Sequence, residues 1–419
     1  MKKISLIIFS FWLALCGYTQ RTVVYDEGVH SVRLETQRGV SGLPVLVLGS
    51  EDRLYVSFDD LTHEYRRFSY RIEHVAADFV TDEGLFDSEY MEADDSELVI
   101  DHYQSSVNTT VLYNHYSFQL PNVGMRPLLS GNYRLLVNVE NEDGDVVPAF
   151  EAYFAVVEQQ VSIGLIGKVD TDIDHRDAHQ QLEIEVNHKN MSVRDPLREL
   201  SIVVLQNGRW DNAVIAPEPT SSTGHSLKWA YCRDLIFNAG NEFRKFEQIS
   251  TRYSGMFVDN LRYFEPYYYA TLLMAQPRPN YLYDEDQNGT YVFRADRSGD
   301  PDIEADYMNV LFQLQMEPMA DRDIYVDGLW TGCQFLPKYK MKYNAERQAY
   351  EALVFLKQGY YSYQYLAVPH GGPMVGQTEP IEGDYFQTEN DYTVLVYYRE
   401  AGSRYDRLVG WRTSSYRVQ

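Results

Sequence analysis

The chain has 419 residues, which exceeds one ordinary domain and predicts two or three. Its hydrophobic content of 44% fits a globular protein with a buried core and argues against a disordered chain. The 37 lysines and arginines against 61 aspartates and glutamates give a formal net charge of −24, and so acidic a surface repels nucleic-acid backbones and anionic lipids.

The N-terminal residues have the pattern of an export signal. Lys2 and Lys3 precede an apolar run from Ile4 to Leu15, and a cleavage position before Gln20 follows. This order predicts a secretory signal peptide over residues 1–19. Cys16 leaves a lipid anchor open, although Leu15 is large where a lipobox carries a small residue. No later apolar stretch is long enough for a transmembrane helix, so we expect a soluble mature protein in an exported compartment.

Alternation of apolar and polar residues predicts strands along most of the chain. The clearest runs begin at Leu54, Phe68, Tyr133, Phe150, Leu182, Val310 and Tyr361. The acidic turn 142–145 joins two of these runs into a predicted hairpin. The 35 tyrosines against 5 tryptophans also favour β-structure, because a tyrosine ring packs on a pleated face while its hydroxyl stays in water. The sequence therefore predicts an all-β protein of consecutive β-sandwich domains of the immunoglobulin-like or early-set type.

The predicted domains follow one another along the chain. The first β-sandwich covers residues 20–158 and ends with the strand near Val157. The second covers 159–250, and a C-terminal early-set-like sandwich covers 251–419. Each segment has a normal size for a sandwich.

One acidic loop is the best metal candidate in the sequence. Its possible ligands are three carboxylates and two imidazoles, Asp170, Asp172, Asp174, His175 and His179. Alternating carboxylates next to imidazoles can hold a hard or borderline cation. An acidic turn in solvent between two strands is the competing interpretation.

Two further patterns also have a structural explanation. Segment 284–289 begins like a calcium-binding loop, but its twelfth position falls on Ala295, where a bidentate carboxylate is required, and an Asn-Gly hairpin turn explains it equally. His102 and His115 could serve catalysis or a metal, but buried, hydrogen-bonded histidines are common in sandwiches.

The sequence lacks recognisable catalytic patterns. Neither Gly-x-Ser-x-Gly nor His-Glu-x-x-His occurs. Adjacent carboxylates such as Asp59 and Asp60 point to opposite faces of a strand and cannot flank one bond. We therefore predict no catalytic residue, no cofactor and no enzymatic activity. Cys232 and Cys333 could form one disulfide, but two separate buried thiols are favoured.

A series of motifs in chain order resembles the type IX secretion system plug protein family of Bacteroidota. The first part of the series is Phe58-Asp59-Asp60-Leu61, Tyr70-Arg71-Ile72-Glu73-His74, Asp101 to Thr109, Tyr113-Asn114-His115-Tyr116, Leu120-Pro121-Asn122 and Ser130-Gly131-Asn132-Tyr133. The second part is Gly240-Asn241-Glu242-Phe243-Arg244, Ala305-Asp306-Tyr307, Leu356 to Tyr361, Ile381-Glu382-Gly383 and Thr388 to Tyr392. Together they span nearly the whole mature chain.

The resemblance implies a periplasmic protein that closes the periplasmic mouth of the large outer-membrane barrel of the type IX translocon. It implies a role without catalysis, and it does not indicate which residues contact the barrel. The acidic charge predicts no nucleic-acid partner, and the lack of a later apolar span predicts no insertion into the membrane. A carbohydrate-binding protein is the alternative, because Asp323 to Trp330 and the tyrosine-rich strands after it resemble early-set domains that bind starch. In that case Trp330 and the tyrosines would form the sugar platform. An enzyme with an unrecognised site is a third interpretation.

Overall fold

The computed structural model of the chain describes residues 22–40, 42–296, 299–332 and 334–417. The predicted signal peptide, Cys16 and Cys333 lie outside these ranges. Strands account for 49% and helices for 5% of the structure, in several antiparallel sheets, and this confirms the all-β prediction of consecutive sandwiches. Within the described ranges no helix is both long and apolar enough to cross a membrane.

The first unit packs a six-stranded sheet against a five-stranded one. Its elements are β1 Val23–Val24, β2 Val29–Thr36, β3 Gly39–Val40, β4 Val45–Val47, β5 Leu54–Asp60, β6 Phe68–Val75, α1 Asp87–Tyr90, β7 Met91–Ala93, β8 Leu98–Val99, β9 Tyr103–Ser105, β10 Asn114–Leu120, β11 Met125–Pro127, β12 Gly131–Glu140 and β13 Val146–Val157. The larger sheet has the order β1-β13-β12-β6-β8, with β4 parallel to β13, and the other has the order β3-β2-β5-β10-β9. The predicted hairpin is β12–β13, in which Leu135 pairs with Ala152 and both are buried.

The second unit also consists of two sheets. The elements from its own segment are β14 Ser162–Lys168, β15 His179–Asn187, α2 Pro196–Glu199, β16 Leu200–Gln206, β17 Arg209–Ile215, β18 Ser221–Ser222, β19 Ser226–Trp229, a 3-10 turn Arg233–Leu235 and β20 Ile236–Asn238. One sheet has the order β14-β15-β19-β18, with β20 also on β15. The other contains β17 and β16 and is completed by strands from the end of the chain.

The third unit follows as another pair of sheets. Its elements are β21 Arg244–Gln248, β22 Val258–Phe264, β23 Tyr267–Leu272, β24 Tyr291–Phe293, α3 Pro301–Glu304, β25 Tyr307–Gln315, β26 Arg322–Asp327, 3-10 turns Leu329–Thr331 and Pro337–Tyr339, β27 Lys342–Asn344, β28 Ala349–Lys357 and β29 Gly359–Pro369. One sheet has the order β22-β23-β25-β28-β27. In the other, β21, β24 and β26 all pair with β29.

The last two strands of the chain belong to the sheet of the second unit. They are β30 Asn390–Tyr398 and β31 Arg407–Tyr416, and the sheet order is β17-β16-β30-β31. The predicted segment 251–419 is therefore not one sandwich in the structure, while the other predicted boundaries stay predictions. Buried Val394 and Val396 of β30 join Ile202 and Val204 of β16 in one core, so β16 gains a neighbour that its own segment does not supply.

A separate apolar cluster, which we call the Phe79 cluster, joins the first unit to the second. Phe79 and Tyr153 of the first unit pack against Trp210 of the second, and the ring centroids of Phe79 and Trp210 lie 5.0 Å apart. The Tyr397 hydroxyl adds a 3.0 Å hydrogen bond to Asn132 across the same boundary. Units that share a buried apolar interface of this kind move less freely than units tethered by a linker.

Replacement of Phe79 by alanine tests this cluster. Phe79 is fully buried, so Phe79→Ala should lower the free energy of unfolding by about 3–5 kcal/mol through lost burial and a residual cavity. Urea titration measures the change. The control Phe86→Ala removes a ring that is 74% exposed and should cost no more than about 0.5 kcal/mol. Equal losses in the two variants would contradict a stabilising role for the cluster.

Candidate functional site

The predicted metal ligands form two separate pairs. Asp170 Oδ1 lies 2.7 Å from His175 Nδ1 in solvent, and Asp174 Oδ2 lies 2.7 Å from His179 Nδ1. Asp172 exchanges hydrogen bonds with Gln181 instead. In the described part of the chain, no three His, Cys, Asp or Glu side chains form a metal-binding group.

Hydrogen bonds already occupy the carboxylate of Asp174. Its oxygens accept from Thr171 Oγ1 at 2.6 Å and from the Ala178 amide at 3.0 Å, besides the contact with His179. Partial burial would raise the pKa of Asp174, but these donors outweigh burial and hold the pKa below its ordinary value. The loop is therefore a hydrogen-bonded turn with two internal His–Asp pairs.

The calcium-like segment is also occupied by protein groups. Asp284 forms a 2.6 Å ion pair with Lys245. Asp286 accepts the amides of Asn288 and Phe243, and burial raises its pKa to about 6. These contacts use the carboxylate oxygens that a calcium ion would require.

The predicted sugar platform lies largely in the core. Trp330 stacks on Phe312 at 5.9 Å and donates its indole N–H to Ser362 O at 3.1 Å. Tyr361 and Tyr363 are buried. Core packing thus explains the aromatic pattern that predicted a stacking surface. Tyrosines at alternate positions of a strand give the same sequence pattern whether their face is exposed or buried.

Two other predicted sites have structural roles. His102 is exposed and contacts the Ser117 hydroxyl at 2.9 Å, whereas His115 is buried beside Asp59. Cys232 is buried, and burial raises the pKa of its thiol. That Cys232 and Cys333 are separate thiols stays a prediction, because Cys333 is outside the described residues.

The most concentrated polar group is buried between the first and third units. Asp59 of β5 accepts hydrogen bonds from Lys357 Nζ and from the Tyr307 hydroxyl, both at 2.6 Å, and lies 2.7 Å from His115 Nδ1. We call Asp59, His115, Tyr307 and Lys357 the Asp59 cluster. The Lys357 and Asp59 side chains are 0% and 1% exposed.

The ionisation of the cluster follows from its contacts. Burial would raise the pKa of Asp59, but Lys357 and His115 outweigh it, so the pKa lies below its ordinary value. Burial lowers the pKa of Lys357, although Asp59 opposes this change. The first shift favours a charged pair and the second opposes it. We assign a charged pair, because three donors meet the Asp59 carboxylate and stabilise its anionic form.

Backbone contacts reinforce this boundary. The Asp306 carboxylate accepts the amides of Thr110 and Val111 at 2.8 and 3.0 Å, and the Tyr113 hydroxyl donates to Ala305 O at 2.8 Å. Outside the cluster, Arg33 and Asp302 form a 2.9 Å ion pair. Residues from the first and second parts of the motif series therefore contact each other at one junction between the first and third units.

A second buried group lies in the third unit, where that unit meets the second. Glu382 accepts Arg244 Nε and the Tyr365 amide, both at 2.9 Å. Burial would lower the pKa of Arg244, but the Glu382 carboxylate outweighs it and raises that pKa. Across the boundary, the Asn288 side chain, in the loop before β24 of the third unit, donates to Asp391 of β30 at 2.9 Å. The motifs around 240–244, 381–383 and 388–392 thus build this second junction.

Glu242 is a buried acid whose carboxylate makes no ion pair with any of the residues that the structure describes. The Tyr281 hydroxyl donates to Glu242 Oε1 at 2.8 Å, and the Glu389 amide does so at 3.2 Å. Burial, with smaller contributions from Asp286 and Glu389, raises the pKa of Glu242 to about 7. The folded protein therefore holds a proton that the unfolded chain releases near pH 5.

These arrangements hold the three units together. All three donors to the Asp59 carboxylate come from the protein, and Glu382 is likewise saturated by protein groups. The motifs were recognisable in the sequence, but nothing in their spacing predicted that their residues would be in contact. The available signal was charge at positions where strands bury their side chains, as in Asp59 of β5 and Lys357 after the apolar run of β28.

Removal of Lys357 tests the first junction. Lys357→Met leaves the Asp59 charge buried without its cation and should cost about 3–5 kcal/mol of unfolding free energy. The double variant Asp59→Asn, Lys357→Met should lose less than the sum of the single variants.

A matched exposed pair is the control for this variant. Lys340 Nζ and Asp323 also lie 2.6 Å apart, but their side chains are 41% and 30% exposed. Lys340→Met should therefore cost no more than about 1 kcal/mol by urea titration. Similar losses for Lys340→Met and Lys357→Met would contradict the assignment of a buried charged pair.

Glu242→Gln tests the second junction through pH. The raised pKa means that Glu242 stabilises the fold fully below its unfolded pKa, and that this stabilisation is lost as pH rises toward about 7. The variant should therefore gain stability relative to the wild type between pH 5 and pH 8. Urea midpoints across this range measure the difference, with exposed Glu142→Gln as the control. Parallel profiles of Glu242→Gln and the wild type would refute the expectation.

Comparisons with known proteins agree with the motif series. A sequence model described as the type 9 secretion system plug protein first domain matches residues 29–158. A crystal structure of a hypothetical protein from Parabacteroides merdae ATCC 43184 is 39% identical, with a TM-score of 0.90, over 94% of this chain and 99% of that chain. No curated protein matches the chain. The family points to involvement in type IX secretion, to a place in the cell envelope and to a non-enzymatic role. The chain belongs to the type IX secretion system plug protein family.

Proposed function

We propose that the protein is a non-enzymatic periplasmic plug that binds and seals the periplasmic opening of the type IX outer-membrane translocon barrel. The observation that carries this proposal is the family match over residues 29–158. The predicted signal peptide is compatible with it, because the protein must leave the cytoplasm to reach the barrel.

The joined units suit such a role. A seal must keep its form while solutes and cargo press on it. The Asp59 cluster, the contact between Asn288 and Asp391, and the Phe79 cluster each connect two units. Separation of the first and third units would leave Asp59 and Lys357 without their partners or require both to be solvated again. The plug therefore acts as one block and needs no chemistry of its own.

Charge and surface composition fit reversible closure. The net charge of −24 keeps a free plug soluble and can steer it toward basic groups at the pore mouth. Cargo transport requires the plug to leave, so the contact should be moderately sized and partly polar, unlike an obligate interface.

A genetic experiment tests the proposal. Deletion of the gene should make the outer membrane permeable to large hydrophilic solutes, because an unplugged barrel is an open pore. Re-expression of the wild type should restore the barrier, and deletion of the barrel in the same strain should remove the leak. Permeability is read from the entry of a fluorescent dextran into the periplasm.

The barrel deletion is the decisive control. A leak that persists without the barrel would assign the defect to the envelope in general and refute the plug. An intact barrier in the single deletion, with purified protein that retains polysaccharide, would support the carbohydrate-binding alternative.

A further inference from the structure

The outer face of one third-unit sheet is apolar beyond the point where the first unit covers it. Inward-facing residues of β22, β23, β25 and β28, such as Leu272 and Phe312, form the core. Alternate residues point the other way. We call the apolar outward-facing residues the aromatic face, and they are Phe264, Tyr267, Tyr269, Leu311, Leu353 and Phe355. Arg262, Thr271 and Asn309 lie among them.

The register places these side chains in neighbouring rows. Tyr269 pairs with Asn309, which pairs with Phe355, and in the adjacent row Leu311 pairs with Leu353. The Phe264 and Tyr269 rings contact at 5.6 Å, and those of Tyr267 and Phe355 at 5.4 Å. The aromatic face therefore consists of neighbouring apolar side chains, with the polar Asn309 between Tyr269 and Phe355.

The first unit already covers one end of this sheet face. Lys357 and Tyr307 occupy the same side of the sheet and contact Asp59, and the His30 ring lies 5.8 Å from Phe355. The cover ends in two directions. Leu353, beyond Phe355 along β28, is 51% exposed, and Phe264, in the row of Lys357 but on the edge strand β22, is 57% exposed. The aromatic face thus continues an existing protein–protein contact into solvent, and contiguous apolar patches of this kind mark interaction sites.

Charge selects among the possible occupants. Two copies of a chain with a net charge of −24 repel each other, which disfavours a second copy. Glu265 in the turn beside Phe264 would be expensive to bury in lipid, which disfavours a membrane surface. Arg262 lies on the same side, opposite Tyr269, and makes no ion pair among the described residues. Glu351, at the other edge, is bound by Arg347 at 3.0 Å.

Size argues for an anchor within a larger contact. Four strands about 4.8 Å apart and about six residues long give a footprint of roughly 300–400 Å². This is below the ~800 Å² per partner of a stable standard interface. The aromatic face can therefore supply the apolar centre of a reversible contact but not a permanent dimer.

We propose that the aromatic face docks onto a protein surface of the type IX translocon that offers apolar side chains and a carboxylate for Arg262. This inference rests on the proposed plug function and adds the docking surface to it. Phe264 on β22 and Leu353 on β28 anchor two opposite corners of the contact, and Arg262 sets its orientation through a charge-assisted hydrogen bond.

Capture of the identified barrel tests the docking surface. Tagged protein is titrated against detergent-solubilised native outer membranes, and the barrel retained is quantified by mass spectrometry. The double variant Phe264→Ser, Leu353→Ser and the variant Arg262→Glu should each weaken retention about tenfold or more. The matched control Phe86→Ser, Leu197→Ser changes exposed apolar residues of the other two units and should stay within about twofold of the wild type. Unchanged urea midpoints show that all variants are folded.

The outcomes separate this inference from the plug proposal. A wild type that retains no barrel refutes the plug and the docking surface together. Equal retention by the wild type and the face variants overturns the docking surface alone. A concentration-dependent dimer in sedimentation, or binding to phosphatidylethanolamine vesicles, that is lost in Phe264→Ser, Leu353→Ser would assign the face to another occupant and also overturn it.

Discussion

The buried contact between Asp59 and Lys357 is the constraint on which the arrangement of the units depends. Each side chain comes from a different sandwich, and neither is exposed to water. A buried charge without its partner costs several kcal/mol, so each unit is stable in this form only when the other is docked on it. Tyr307 and His115 complete the shell of Asp59 and fix its orientation. The ion pair thereby specifies one position of the first unit on the third.

The second unit is attached by other contacts. The Asn288 side chain of the third unit donates to Asp391 of β30, while the Phe79 cluster joins the first and second units through apolar packing. Ionic contacts specify geometry, because they tolerate few alternatives, whereas apolar packing adds stability with less directional preference. The proposed plug function would benefit from both.

The molecule divides its aromatic residues between interior and surface. Tyr361 and Trp330 pack inside the third unit, whereas Phe264 and Leu353 extend a sheet face past the edge of the first unit. The interior set explains the tyrosine-rich composition without any ligand. The exposed set is what an interaction requires, since removing apolar surface from water drives association while tyrosine hydroxyls remain hydrated at the rim.

The alternation of residues by itself determined the strands, the all-β class and the β12–β13 hairpin, because the two-residue period of a strand is a local property. The motif series likewise identified the family. Only the tertiary structure decided that β30 pairs with β16 and that Asp59 contacts Lys357, which lies 298 residues further along the chain. Exposed and buried tyrosine ladders share one pattern, so the sequence could not place Trp330 in the core or leave Phe264 outside. The physical reason is that burial, strand partners and ion pairs depend on which distant segments cover a face, and no local pattern contains that information.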